Sequence, residues 1–124
     1  MASSKWQKIN LAAKFNSFDE RWSPKIVGEL NGQCVKIVKV KGEFVWHHHD
    51  VEDELFMVIK GQLTIKFQDR DVTLEEGEFL IVPHGLEHKP VAKKEAHILL
   101  FEPQATLNTG NVQDERTVEA PEAI

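Results

Sequence analysis

The 124-residue chain is the size of one domain, and its 41% of hydrophobic residues can build one modest core and not two. Its 15 basic and 20 acidic side chains leave a formal net charge of -5, the wrong sign for a surface that tracks nucleic-acid phosphates. The N-terminal stretch MASSKWQKINLAAKF has no uninterrupted apolar run of the kind a secretory signal or a membrane span requires, so a soluble cytoplasmic protein with no membrane partner is expected.

In chain order, Asn10 ahead of LAAKF suits one capped helical turn, its side chain accepting from the first free amides, and Pro24 then forces the chain to extend. Cys34, the single cysteine, has no internal disulfide partner and reads as a small core residue. From Val35 onward, short apolar runs broken by Gly, Pro or charge read as strands: VKIVKV, EFVWH, ELFMVI, LTIKF, VTL, FLIVP and HILLF. Lys41-Gly42, Lys60-Gly61, Asp69-Arg70-Asp71, Glu76-Gly77 and Pro83-His84-Gly85 supply turn chemistry between them. Turns about every ten residues favour an all-β sandwich or barrel over alternating β/α units. Alternation is clearest in LTIKF, where Leu63, Ile65 and Phe67 share one face and Thr64 and Lys66 the other. A single domain over 1–124 is expected, with its barrel core at about 26–103 and a polar, aperiodic segment, 104–124, that runs over the surface or frays.

The densest chemistry lies in WHHHDVEDELF, where His47, His48 and His49 are followed closely by Asp50, Glu52, Asp53 and Glu54. A solvated, acid-balanced turn between two strands is the plain reading of such a cluster. In a strand, however, His47 and His49 share one face while Trp46 and His48 share the other, so only one pair can face a barrel interior. A hairpin over 50–53 would fold Glu54, the first residue of ELFMVI, back beside two imidazoles. Neutral imidazole and carboxylate suit a divalent transition metal: zinc, iron, manganese, nickel or copper. A further ligand is expected from GEFLIVPHGLEH, where His88 re-enters the sheet; His84, between Pro83 and Gly85, is the alternative at the loop tip. Phe56, Val58, Phe67, Phe79, Ile81 and Phe101 are candidate walls of the site, and His97 is either a general base or an outward surface residue.

At these residues the chain resembles the cupin superfamily, whose motifs run G-x5-H-x-H-x3,4-E-x6-G and G-x5-P-x-G-x2-H-x3-N. Gly77, Pro83, Gly85 and His88 match the second, with Ala92 in place of the final Asn. For the first, counting five residues from Gly42 selects His48 and Asp50, whereas counting four selects His47 and His49, then Glu54 and Gly61. The two registers present opposite faces of one strand, and the second keeps the three-histidine, one-glutamate set that the resemblance implies: His47, His49, Glu54 and His88. His48 then points outward or into an interface, and Glu52 is the alternative to Glu54. The resemblance spans 35–102, with 15 residues between Gly61 and Gly77, as in compact single-domain cupins. It implies a small double-stranded β-helix or jelly-roll barrel, one divalent metal near an open end, a small-molecule ligand and a homodimer. Of the activities that such proteins carry, isomerase-like or dioxygenase-like chemistry on a small polar metabolite such as a sugar or sugar acid is the first expectation. A non-catalytic metal-containing ligand-binding or sensing module is the second. Nothing in the chain reads as a P-loop, a dinucleotide fingerprint or a separate nucleophile, so any chemistry is expected to centre on the metal.

Overall fold

The computed structural model describes residues 6–124 and is all-β apart from one helical turn. That turn, α1 (Leu11–Phe15), is capped as the sequence suggests: the Asn10 side chain accepts from the Ala13 N–H at 2.9 Å. The strands are β1 (Lys25–Leu30), β2 (Gln33–Glu43), β3 (Glu54–Lys60), β4 (Leu63–Phe67), β5 (Asp71–Leu74), β6 (Phe79–Val82), β7 (His88–Pro103) and β8 (Glu122–Ala123). No helix among the described residues is long and apolar enough to cross a membrane.

Strand β7 organises the barrel. It runs antiparallel along β2, pairs through residues 97–101 with β3, and pairs through residues 88–91 with β4. β6 extends the sheet beyond β3, β5 extends it beyond β4, and β1 with β8 extends it beyond β2. The long strand thus belongs to both walls, and the inward side chains of the two walls meet in one core that includes Val38, Val40, Phe56, Val58, Leu63, Ile65, Ile98 and Leu100. Cys34 is a buried free thiol, as its context suggests.

Two sequence expectations give way here. Lys41-Gly42 is not a turn: β2 continues through it, and the register with β7 slips from Val40 opposite Ala96 to Gly42 opposite Ala92. Gly42 has φ 84°, which glycine adopts without the Cβ clash other residues would meet, so the dipeptide bends the strand at a bulge instead of reversing it. EFVWH is not a regular strand either, since β2 stops at Glu43 and beyond it only His47 makes a bridge, to His88.

The segments flanking the barrel pack onto it. Phe15 and Phe18 join Val27 and Ile37 in a second cluster on the outer side of β1 and β2. After Pro103 the polar segment follows the surface by turns, yet Thr106 and Thr109 are buried. Thr109 and Thr117 hydroxyls bond at 2.7 Å, and Asn111 pairs with His48 in both directions: its N–H donates to the His48 carbonyl at 3.0 Å, and its side chain accepts from the His48 N–H at 2.9 Å. Gly110 sits at φ 56°, where a Cβ would collide with the His48 carbonyl. Hydrogen bonds, which aperiodic polarity does not reveal, hold this stretch down.

Candidate metal centre

Although residues 44–49 are not a regular strand, the stretch from Trp46 keeps strand alternation: His47 and His49 are buried, Trp46 is exposed and His48 is half-buried, while the buried Phe44 falls on the other parity. The alternation survives because the backbone of His47 exchanges two hydrogen bonds with His88, at 3.0 and 2.9 Å, which pins both residues on the inner side. Glu54 opens β3 facing the same interior and is 3% exposed. One ligating atom from each of His47, His49, Glu54 and His88 falls within 4.8 Å of all the others, and all four side chains are buried.

The protonation pattern follows from the neighbours. His47 Nδ1 donates to the Val45 carbonyl and His88 Nδ1 to the Leu86 carbonyl, each at 2.9 Å, so both rings turn a bare Nε2 lone pair inward. Burial, and then the repulsion that a second protonated ring would meet from His88, push the His47 imidazole down to about 4, so it is neutral at pH 7. Burial alone would raise the Glu54 carboxyl, but the close approach of His49, His88 and Glu102 outweighs it and holds the group well below the usual carboxylate range. His49 Nε2 lies 3.1 Å from Glu54 Oε1, and His88 Nε2 lies 3.7 Å from it. Neither contact has the direction of a hydrogen bond, and all three atoms are buried without a partner. Buried polar atoms crowded together without hydrogen bonds are costly unless something joins them, and imidazole nitrogen with carboxylate oxygen fits a divalent transition ion.

Behind Glu54 stands a group the sequence reading did not single out. Leu55 pairs with Phe101, so the same register sets Glu54 opposite Glu102 on the inner face. Glu102 is 2% exposed and accepts from Lys36 Nζ at 2.7 Å; the ammonium, equally buried, also donates to the Thr106 carbonyl at 3.3 Å. Burial, and then the Glu54 charge, push the Glu102 carboxyl well above its usual range against the pull of Lys36. The signal was present in VKIVKV: strand alternation puts Lys36 and Lys39 on opposite faces, so one of them must point inward.

The remaining candidates lie elsewhere. His48 faces away, its ring held by Glu87 at 3.1 Å and Asp50 at 2.9 Å. His84 is exposed at the loop tip and bonds Asp53 at 2.9 Å. Glu52 stays in the half-buried loop before β3 and does not join the four. His97 stacks on Phe15 at 4.4 Å, on the outer side of the sheet. Of the six candidate wall residues, Phe56 lines the cavity beside His47 and Glu54. Val58 is plain core and Phe67 packs in the core beside His88, with ring centroids 6.4 Å apart, while Phe79 and Ile81 face outward at 57% and 54% exposure, because β6 pairs with β3 so that Leu80 and Val82 take the inner side. Phe101 also lies on the outer side, between the inward Leu100 and Glu102.

A family profile described as the cupin domain matches residues 35–102, more than half of the chain. The chain belongs to the cupin family. This cupin is 48% identical to a cupin-2 domain protein of Shewanella frigidimarina whose crystal structure superposes with a TM-score of 0.77, covering 77% of this chain and 94% of that one. It is 37% identical over 81 residues to the uncharacterized protein YdbB of Bacillus subtilis, covering 64% of this chain and 72% of that protein. It is also 36% identical over 64 residues to a 3-hydroxyanthranilate 3,4-dioxygenase of Meyerozyma guilliermondii, where the match takes in 48% of this chain and only 38% of the enzyme.

Proposed function

We propose that this cupin holds one divalent transition metal ion through His47, His49, Glu54 and His88 and acts as a metal-dependent enzyme on a small oxygen-bearing metabolite, with isomerase-like or dioxygenase-like chemistry. One observation carries the reading: three buried ligating atoms, His49 Nε2, Glu54 Oε1 and His88 Nε2, converge with no partner of their own. When bound, the ion supplies Lewis acidity and, in the case of iron or copper, redox chemistry. The protein residues do the rest. The Val45 and Leu86 carbonyls hold two imidazole rings in one tautomer and orientation. Phe44, Phe56, Leu63 and Ile98 keep water from the adjoining cavity. Glu54, at the edge of that cavity, places the ion-binding set where a substrate would enter. The dioxygenase relative supports oxygen chemistry as one branch of this reading. A homodimer is part of the proposal, supported by the exposed Phe79 and Ile81 on the outer face of β6, the strand that ends its sheet beyond β3.

The test begins with metal content after purification without chelator. Protein loaded in turn with iron(II), manganese, zinc and nickel is then assayed for oxygen consumption and for conversion of a metabolite panel. About one ion per chain with turnover on at least one metal is the expected result. An ion without turnover, combined with stabilisation by panel compounds, would make the protein a ligand-binding or sensing module. No metal under any loading condition would sink the proposal.

A further inference from the structure

The cavity beside the four converging side chains has a composition that bears on what enters it. It shares His47 and Glu54 with the candidate metal centre and opens to the surface on one side. The remaining wall is almost entirely hydrocarbon and ring: Val40, Phe44, Phe56, Leu63, Leu100 and Trp22 dominate it. Two other side chains there bear hydrogen-bonding groups, and both are engaged. The Trp22 indole N–H donates to the Lys41 carbonyl at 3.0 Å. The Asn108 amide donates to the Arg116 carbonyl and accepts from the Val118 N–H, each at 2.8 Å.

Trp22 is held there against a backbone cost. It sits at φ 58°, a left-handed conformation that a bulky residue rarely adopts. Its own N–H donates to the Lys39 carbonyl at 2.8 Å, and its ring stacks on Phe44 at 4.7 Å with the planes 14° apart. Phe44 in turn meets the His47 ring edge-on at 5.5 Å. A run of rings therefore leads from the N-terminal segment to the metal-facing imidazole.

Resting on the metal-centre reading above, we infer that the substrate or ligand is a largely apolar small molecule with adjacent oxygen donors at one end only, such as an aromatic ortho-diol or hydroxy acid, and that Trp22 is a specificity-determining wall residue. The oxygens reach the ion, and the body lies against Trp22, Phe44 and Phe56. A sugar or sugar acid, the expectation from sequence, would bury a row of hydroxyls against a wall with nothing free to pair them. Each unpaired buried hydroxyl costs about 1–3 kcal/mol, so this wall discriminates against a polyhydroxylated body.

Salicylate and gluconate test this directly, since both carry a hydroxyl next to a carboxylate and differ in the body behind it. Binding of each to nickel-loaded protein, freed of excess metal, is measured by calorimetry, with metal content read on the same samples. Salicylate is expected to bind tighter than gluconate by about tenfold or more. Trp22→Ala should weaken salicylate by about tenfold, and Val40→Thr, which adds a hydroxyl to the wall at nearly constant volume, should narrow the preference if the first variant fails to fold. Equal or tighter binding of gluconate overturns the inference, as does salicylate binding that is indifferent to both substitutions; in these cases the nickel remains and the metal reading stands. Absence of nickel from the wild-type protein overturns both, and the metal measurement tells the two failures apart.

Discussion

Two buried polar clusters sit side by side on the inner face of the barrel, joined where Glu54 stands opposite Glu102, and they are built on opposite terms. In one, Lys36 supplies a cation that donates to Glu102 and to the Thr106 carbonyl, although Glu102 Oε1 and the Thr106 hydroxyl are left without a partner. In the other, His49 Nε2, Glu54 Oε1 and His88 Nε2 converge with no hydrogen bond of their own and no cation beside them. The first set carries its own positive charge, whereas the second has room in its chemistry for one from outside.

The largest test of that contrast removes a member of the second set. His88→Ala should bring metal content to background, because it deletes a ligating nitrogen of the cluster; metal analysis after loading reads it, and an undiminished ion content would abolish the distinction. Next, Glu102→Leu leaves the Lys36 ammonium buried with only the Thr106 carbonyl to accept from it and should cost about 3–5 kcal/mol in urea denaturation. Adding Lys36→Met to it should restore most of that loss while metal binding persists, weakened by about 10–100-fold through the altered surroundings of Glu54. Complete loss of metal in the double variant would mean that the two clusters are one device.

Acid comes third. The His47 imidazole, ordinarily near 6.5, is pushed down to about 4 by burial and then by His88. The unfolded chain therefore takes up this proton at a higher pH than the folded one does. Stability from His47 is complete above about pH 6.5 and is lost as pH falls toward 4, amounting to about 3 kcal/mol for the metal-free protein. Denaturation at pH 7 and pH 4.5 should show this fall, and His47→Gln should make it shallower; an unchanged slope would remove His47 as its source. The smallest effect is expected of His48→Ala, on the opposite side of the same segment. Its contacts with Asp50 and Glu87 are open to solvent and screened, so stability should change little and the metal content should stay at the wild-type level. Loss of metal in this variant would reverse the assignment of the two faces.

That face assignment was legible in the sequence because it depends on parity alone. A period of two separates His47 and His49 from His48 whether or not the segment forms a regular strand, and the bridge to His88 preserves the alternation where β2 has already stopped. The six apolar runs that became β2 to β7 and the grouping with Glu54 were legible for the same local reason, whereas β1 and β8 were not among the runs read as strands and EFVWH did not become one. The Lys36–Glu102 pair was only half legible: alternation in VKIVKV turns one lysine inward, but its partner lies 66 residues away and reads as ordinary surface charge until β2 and β7 are laid together. β6 failed for want of a polar marker: FLIV is apolar on both faces, so nothing in it says that Phe79 and Ile81 turn outward. The Lys41-Gly42 bulge shares its composition with a turn, and only the register of β7 separates them.

The pairing of Asn111 with His48 has a consequence in time. The histidine-bearing segment is gripped on one side by His88 and on the other by Asn111, and Asn111 is made later than any of the four converging residues. On the ribosome, the imidazoles and Glu54 emerge before the strap that locks their backbone, so a nascent chain would offer the cluster to the cell in a looser form than the finished protein does.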